Sequence, residues 1–84
     1  MSNTTYHKII YTYFDKGVEE EQEMLIGQLS LPEAVIFTRQ MAHVQGLQDF
    51  EIKQVFREAD TGWEEVPNWE EIENEYRRGK EGKT

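Results

Sequence analysis

The sequence contains no cysteine and no long apolar run. The absence of cysteine excludes a disulfide framework, an iron–sulfur cluster and any zinc site built on thiolates. The longest apolar runs are three or four residues, as in 34–37, whereas a membrane-spanning helix needs about 20 apolar residues. The first eight residues have no basic stretch followed by an apolar run, so they do not predict a signal peptide. We therefore expect a cytoplasmic protein that does not enter a membrane.

Basic residues are also scarce, with 9 lysines and arginines against 17 acidic residues and a net charge of −8 over 84 residues. A nucleic-acid-binding protein needs a basic patch that displaces counterions, so this composition argues against direct binding to nucleic acid. Hydrophobic residues make up 37 % of the chain, which suffices for the core of one small domain.

The amino-terminal third predicts a β-hairpin. Residues 4–14 are rich in β-branched and aromatic side chains, which favour a strand. Its alternation places Tyr6, Ile10 and Phe14 on one face and Ile9, Tyr11 and Tyr13 on the other. Residues 15–17 predict a three-residue loop, and residues 18–29 predict the return strand, with Gly27 as the site of a bulge. The first part of that return strand, residues 19–21, is too polar to be buried on either face.

A helix is predicted from Ser30 to about Gln45. Ser30 and Glu33 have the spacing of a capping box, and Gly46 is a suitable left-handed terminator. A broad apolar stripe follows the helical period and includes Leu31, Ala34, Val35, Thr38, Met41, Ala42 and Gln45, widened by Ile36, Phe37 and Val44. We therefore expect this helix to be the most buried element.

The second half of the chain predicts one or two more strands and a second helix. In the strand 49–58, alternation places Phe50, Ile52 and Phe56 on one face and Glu51, Lys53, Val55 and Arg57 on the other. Residues 60–62 predict a turn, residues 63–66 a short further strand, and Asn68 the cap of a helix whose apolar stripe is Trp69, Ile72 and Tyr76. The expected fold is α+β, a small antiparallel sheet of three to four strands with two helices in the order β-β-α-β-(β)-α. It forms one domain over residues 1–78, followed by a disordered tail over 79–84.

Acidic residues are concentrated in residues 58–75, which contain eight acids and no lysine or arginine. They could simply be a solvated surface that keeps the protein soluble. Alternatively, carboxylates on a rigid scaffold imitate a phosphate backbone and attract a basic partner, which would relieve their mutual repulsion. On that interpretation the partner-binding residues are Glu58, Asp60, Glu64, Glu65, Glu70, Glu71, Glu73 and Glu75, with Trp63 among them.

Tyr11 and Tyr13 are a second candidate contact, because tyrosine is enriched at the centres of interfaces. The alternative is that both tyrosines pack in the core beneath the second helix.

Catalytic and metal-binding signatures are lacking. His7 and His43 are isolated, Ser30 has the context of a helix cap, and residues 60–64 do not have the spacing of a calcium loop. We therefore predict no cofactor, no metal and no enzymatic activity.

Small size, strong acidity, absence of cysteine and an α+β layout without a catalytic motif together resemble the small phage-encoded inhibitors. This class includes anti-CRISPR proteins, anti-restriction proteins and uracil-DNA glycosylase inhibitors. The resemblance implies a stoichiometric inhibitor, a DNA mimic in the bacterial host cytoplasm, that occupies the nucleic-acid groove of a basic partner such as a CRISPR or restriction effector.

Two further functions stay open. The chain could be a small structural or adaptor subunit that forms a homodimer or joins a larger assembly through Tyr11 and Tyr13. It could also be a small-ligand-binding module, which would need an apolar pocket with converging polar groups.

Overall fold

The protein folds into a four-stranded antiparallel sheet with two helices, in a computed structural model that describes residues 5–81. In chain order the elements are β1 (Tyr6–Asp15), β2 (Val18–Gly27), α1 (Leu31–Gln45), β3 (Gln48–Ala59), β4 (Gly62–Glu65) and α2 (Trp69–Glu81). The strands lie in the order β2-β1-β3-β4, so β2 and β4 are the two edges. The expected α+β fold is confirmed, and the optional fourth strand is present.

The β1–β2 hairpin is tighter than the sequence predicts. Asp15 pairs directly with Val18, and the two residues between them, Lys16 and Gly17, have φ values of 54° and 80°. Two successive positive φ angles define a type I′ turn, whose twist matches that of the flanking strands. The loop therefore has two residues, not three.

Gly27 is not a bulge, because β1 and β2 pair without any shift of register from Tyr6–Gly27 to Asp15–Val18. A Cβ atom at position 27 would lie 2.8 Å from Cε2 of the Tyr6 ring. Glycine is thus needed at this position because an aromatic ring from the neighbouring strand lies over the backbone.

Both predicted caps of α1 are confirmed. The Ser30 hydroxyl accepts a hydrogen bond from the Glu33 backbone N–H, and the Glu33 carboxylate accepts one from the Ser30 N–H at 3.1 Å. Gly46 ends the helix in the left-handed conformation, with φ of 70°. Local sequence therefore fixes where this helix begins and ends.

The core lies between one face of the sheet and the helices. It is formed by Ile9, Tyr11, Ile26, Leu31, Ala34, Val35, Ile52, Val55, Val66 and Trp69. Five residues of α1 are buried, but the predicted widening of its apolar stripe is wrong at two positions, because Phe37 is 48 % exposed and Val44 is 82 % exposed. The narrower stripe at 31, 34, 35, 38 and 42 covers the sheet, and Phe37 and Val44 lie outside it.

A β-bulge in β3 changes which of its side chains are buried. Ile10 pairs with Gln54 while Tyr11 pairs with Ile52, so Lys53 is an extra residue. An extra residue reverses the alternation beyond it. Val55 is consequently in the core with Ile52, whereas Phe56 lies on the opposite face, and the predicted grouping of these residues was wrong.

The carboxyl-terminal helix α2 packs on α1. Its apolar stripe is confirmed, with Trp69 buried and Ile72 and Tyr76 half-buried. It continues through Glu81, so residues 79–81 are helical and not part of a disordered tail, and residues 82–84 lie outside the described residues. Within 5–81, no helix is long and apolar enough to cross a bilayer.

Candidate functional site

One face of the sheet packs against the helices, and the other carries no helix within residues 5–81. We call it the open face. The residues on this face follow from strand alternation and from the observed register. They are Tyr6, Lys8, Ile10, Thr12 and Phe14 of β1, Glu19, Glu21, Glu23 and Leu25 of β2, Glu51, Gln54, Phe56 and Glu58 of β3, and Trp63 and Glu65 of β4. Antiparallel sheets commonly leave one face in water, but that face is then mostly polar. Here four large apolar side chains are exposed on it, Tyr6, Phe14, Leu25 and Trp63.

Three glutamates, Glu19, Glu21 and Glu23, form a straight row on the open face, which we call the β2 row. They alternate along the edge strand, so their Cα atoms are about 6.7 Å apart, and all three are exposed. Their direct neighbours on β1 are the uncharged residues Phe14, Thr12 and Ile10. Among the described residues, Glu19 and Glu21 have no salt-bridge partner, so the row keeps most of its negative charge.

A lysine at the centre of the open face is held by aromatic rings. The Lys8 ammonium lies 4.8 Å from the centroid of the Trp63 ring and 5.4 Å from that of Phe56. It also lies 3.9 Å from a carboxylate oxygen of Glu23, and the side chain is largely shielded from solvent. Aromatic faces and carboxylates attract cations in this arrangement. The open face therefore already binds one ammonium group, and that group belongs to the protein itself.

The remaining carboxylates of the open face have closer partners than the β2 row. Glu51 pairs with Lys53 at 3.0 Å, and Glu65 accepts a hydrogen bond of 3.4 Å from the Gln54 amide. Glu58 accepts one of 3.4 Å from the Tyr6 backbone N–H. The open face thus has six glutamates, whereas Lys8 and Lys53 are the cations that contact them within the described residues. The surface is strongly negative.

The eight acids predicted as one binding surface are divided among several parts of the fold. Only Glu58 and Glu65, together with Trp63, lie on the open face. Asp60 is in the β3–β4 turn, and Glu64 alternates away from the open face and pairs with Arg57 at 3.0 Å. The exposed positions of α2 carry Glu70, Glu71 and Glu75. A strand distributes neighbouring residues over two faces and a helix over all sides, so an acidic segment of sequence does not become a single surface.

Glu73 is the acid whose predicted role is most clearly wrong. It is 4 % exposed and accepts hydrogen bonds from Nε and a terminal nitrogen of Arg39, at 2.8 and 3.0 Å, and two more from Arg77. Burial alone would raise the pKa of this carboxyl, but the bonds from Arg39 and Arg77 outweigh it and lower the pKa. Glu73 joins α2 to α1 and is not available to a partner.

Tyr11 and Tyr13 do not form an exposed aromatic patch. Tyr11 is 8 % exposed and packs in the core, with ring centroids 5.3 Å from Phe50 and 6.2 Å from Tyr13. Burial, followed by the neighbouring Tyr13, raises the pKa of the Tyr11 hydroxyl. Tyr13 is half-buried on the same side, so both tyrosines pack on the core side of the sheet, although the helix that contacts β1 most is α1 and not the second helix. The exposed aromatic residues of the strands, Tyr6, Phe14 and Trp63, are on the other face of the sheet.

The two histidines differ in their exposure to solvent. His43 is exposed on α1, whereas His7 is 4 % exposed and its Nδ1 has no hydrogen-bond partner. Burial, and then the charge of Arg57, lower the pKa of His7. No group of three or more metal-ligating side chains occurs within the described part of the chain.

The β2 row is the feature that sequence reasoning missed. The signal was present, since glutamates at 19, 21 and 23 repeat with the period of a strand. The acidic segment 58–75 contains more charge, and the predicted binding surface was therefore placed there. Comparison of the chain with protein-family models, with curated proteins and with solved structures found no match.

Proposed function

We propose that this chain is a non-enzymatic binding protein that uses its open face to occupy the basic surface of a nucleic-acid-binding protein. Such a protein would act as a stoichiometric inhibitor, in the manner of the DNA-mimic class that its composition resembles. The observation that carries the proposal is the uncovered sheet face itself, on which a row of glutamates adjoins exposed aromatic residues.

The chemistry of the open face fits a partner rich in lysine and arginine. Glu19 and Glu21 have no cation beside them within the described residues, so binding to a basic surface would relieve their repulsion. The same face already binds the Lys8 ammonium through Trp63 and Phe56. Interfaces commonly combine aromatic residues near their centre with charges that steer the encounter, and both are present here.

The strands also give the charges a fixed spacing. β2 is paired with β1 along its whole length without a register shift, so the β2 row cannot change its geometry freely. A regular row of negative charges on an ordered element is what an inhibitor needs in order to imitate one phosphate strand. An acidic tail without structure would lack that geometry.

The proposal is tested by affinity capture with two matched triple variants. One carries Glu19→Lys, Glu21→Lys and Glu23→Lys, and the other carries the same substitutions at the exposed α2 acids Glu70, Glu71 and Glu75. Both variants have the same net charge, and circular dichroism checks that both are folded. Each is immobilised, exposed to a bacterial lysate at low and high salt, and the bound proteins are identified by mass spectrometry.

The expected result is that the unmodified protein and the α2 variant capture the same basic nucleic-acid-binding protein. High salt should release this partner, and double-stranded DNA should compete with the immobilised protein for binding to it. The β2 variant should lose the capture. Equal capture by both variants would show that only net charge matters, and loss in the α2 variant alone would move the site to the helix.

A second candidate is a dimerising structural or adaptor subunit. Phe37 and Val44 are exposed on α1, and Phe37 lines a groove of about 400 Å³ between α1 and α2 together with Leu29, Ile36 and Tyr76. A second copy of the chain could bury these side chains, which favours self-association through the helical layer. Light scattering tests the self-association, because a monomer at high concentration would contradict the dimer.

A further inference from the structure

The β2 strand is a long and regular edge. All ten of its residues pair with β1, and no residue within 5–81 pairs with its outer side. Proteins usually protect such an edge with proline, lysine or a bulge, because its free N–H and C=O groups can accept another strand. β2 contains none of these three devices, and the charged side chains that it does carry are four glutamates, which repel an acidic strand and attract a basic one.

The hairpin turn determines which backbone groups point outward. In a two-residue turn the closing pair, Asp15 and Val18, exchanges backbone hydrogen bonds, and such pairs then alternate along the ladder. The bond from the Gln28 N–H to the Thr5 C=O, at the other end, has the same phase. The outward N–H and C=O groups therefore belong to residues 19, 21, 23, 25 and 27.

The residues with outward backbone groups also supply the β2 row. A strand added to this edge would place alternate side chains on the open face, directly beside Glu19, Glu21 and Glu23, and another beside the exposed Leu25. The edge therefore offers backbone hydrogen bonds and a charge pattern in the same register.

A second copy of this chain fits the edge less well than a basic strand does. An antiparallel copy centred on Glu21 would place Glu21 opposite itself and Glu19 opposite Glu23. Like charges directly opposite each other destabilise a strand pair. The same three positions would be neutralised by lysine or arginine, so charge selects a basic strand from another protein.

We infer that β2 binds an extended basic segment of the partner by strand addition, which makes that segment a fifth strand of the sheet. The inference rests on the proposed function and names how its partner is held. In an antiparallel orientation the segment has an apolar residue opposite Leu25, followed by basic residues at every second position opposite Glu23, Glu21 and Glu19. Main-chain bonds of this kind supply affinity, and the alternate side chains supply specificity.

The test uses a synthetic peptide, Val-Thr-Lys-Thr-Lys-Thr-Lys with acetylated and amidated ends, and two N-methylated forms of it. In the first form the backbone nitrogens of the three lysines are methylated, which removes three of the four donors that would bond to β2 and leaves that of the valine. In the second the three threonine nitrogens are methylated, which alters only donors that would point away. Both forms have the same charge, and binding is measured by NMR titration at ionic strengths of about 0.01 and 0.15 M.

We expect the lysine-methylated peptide to bind about tenfold or more weakly than the threonine-methylated peptide. We also expect hydrogen exchange of the amides at 19, 21 and 23 to slow when the unmodified peptide binds. Equal affinities for the two methylated forms, or no binding of the unmodified peptide, would overturn the strand addition. Neither result would decide whether the open face is the binding surface, because that proposal is tested separately by the triple variants.

A pair of protein variants gives an independent readout. Glu21→Pro and Glu21→Gln remove the same charge, but only proline removes the outward N–H, and proline is tolerated at an edge whose N–H faces solvent. The proline variant should bind the unmodified peptide several-fold more weakly than the glutamine variant. Equal binding by two folded variants would contradict the inference.

Discussion

Burial separates Glu73 from the other acids of residues 58–75. Its carboxylate accepts two hydrogen bonds from Arg39 and two from Arg77, whereas Glu75, two residues later, is exposed. The sequence could not reveal this difference, because the arginine that defines it, Arg39, lies on another helix. Residues whose role depends on a distant partner are those that sequence reasoning assigned wrongly.

Replacement of Glu73 by glutamine should lower the free energy of unfolding by about 2 kcal/mol, because charged hydrogen bonds to a buried carboxylate are lost. The control Glu75→Gln should change it by less than about 0.5 kcal/mol. Urea unfolding of both variants at neutral pH measures the difference. Equal stabilities would mean that Glu73 contributes no more than a surface acid.

The same site has a predictable dependence on pH. Because the pKa of Glu73 in the folded protein is lower than its usual 4.5, its stabilising effect is present above pH 4.5 and is lost as pH falls through the lowered value. The stability difference between the unmodified protein and Glu73→Gln should therefore shrink in acid.

His7 is expected to weaken the fold on mild acidification. Its pKa is lowered from 6.5 by burial and by Arg57, so the unfolded chain binds a proton more readily than the folded one. The stabilising effect is present above pH 6.5 and is lost as pH falls through the lowered pKa. Urea unfolding at about pH 7.5 and about pH 5 should show a smaller loss for His7→Leu than for the unmodified protein.

His43→Gln is the control for this measurement. His43 is exposed, so this variant should retain the full loss of stability on acidification. A loss of stability that is the same in His7→Leu would assign the pH dependence to other groups.

At the scale of elements, the features that depend on residues close together in the sequence were predictable. Ser30, Glu33 and Gly46 fix both ends of α1 through backbone hydrogen bonds that span a few residues. The bulge at Lys53 was not predictable, because it depends on the register between β1 and β3. One inserted residue moved Val55 into the core and Phe56 onto the open face.

Two glycines that differ in backbone conformation allow a matched test of these elements. Gly17 has φ of 80° in the hairpin turn, a conformation that a Cβ atom disfavours by about 1 kcal/mol. Gly79 lies in α2, where a Cβ atom would meet no atom within 4 Å, and alanine favours a helix by up to about 1 kcal/mol. Gly17→Ala should lower the thermal midpoint and Gly79→Ala should raise it. Shifts of the same sign would contradict the assigned geometries.

At the scale of the whole molecule, the acids that share a surface are determined by the strand order of the sheet and not by their proximity along the sequence. The extents of the fold, 44 × 40 × 22 Å, fit one sheet covered by a single layer of helices, which leaves the other sheet face open. The α+β fold class could be predicted from the sequence, and the net negative charge is given by it directly. The strand order could not, and it is the strand order that makes β2 an edge and gives Glu19, Glu21 and Glu23 their place at one side of the open face.

The most direct measurement is the association rate of the captured partner with the unmodified protein and with the two triple variants, at low and at physiological salt. We predict that charge reversal of the β2 row slows association by at least about tenfold at low salt, because opposite charges no longer steer the encounter. Reversal at Glu70, Glu71 and Glu75 should have a much smaller effect. Equal slowing by the two variants would contradict the claim that the open face is the binding surface.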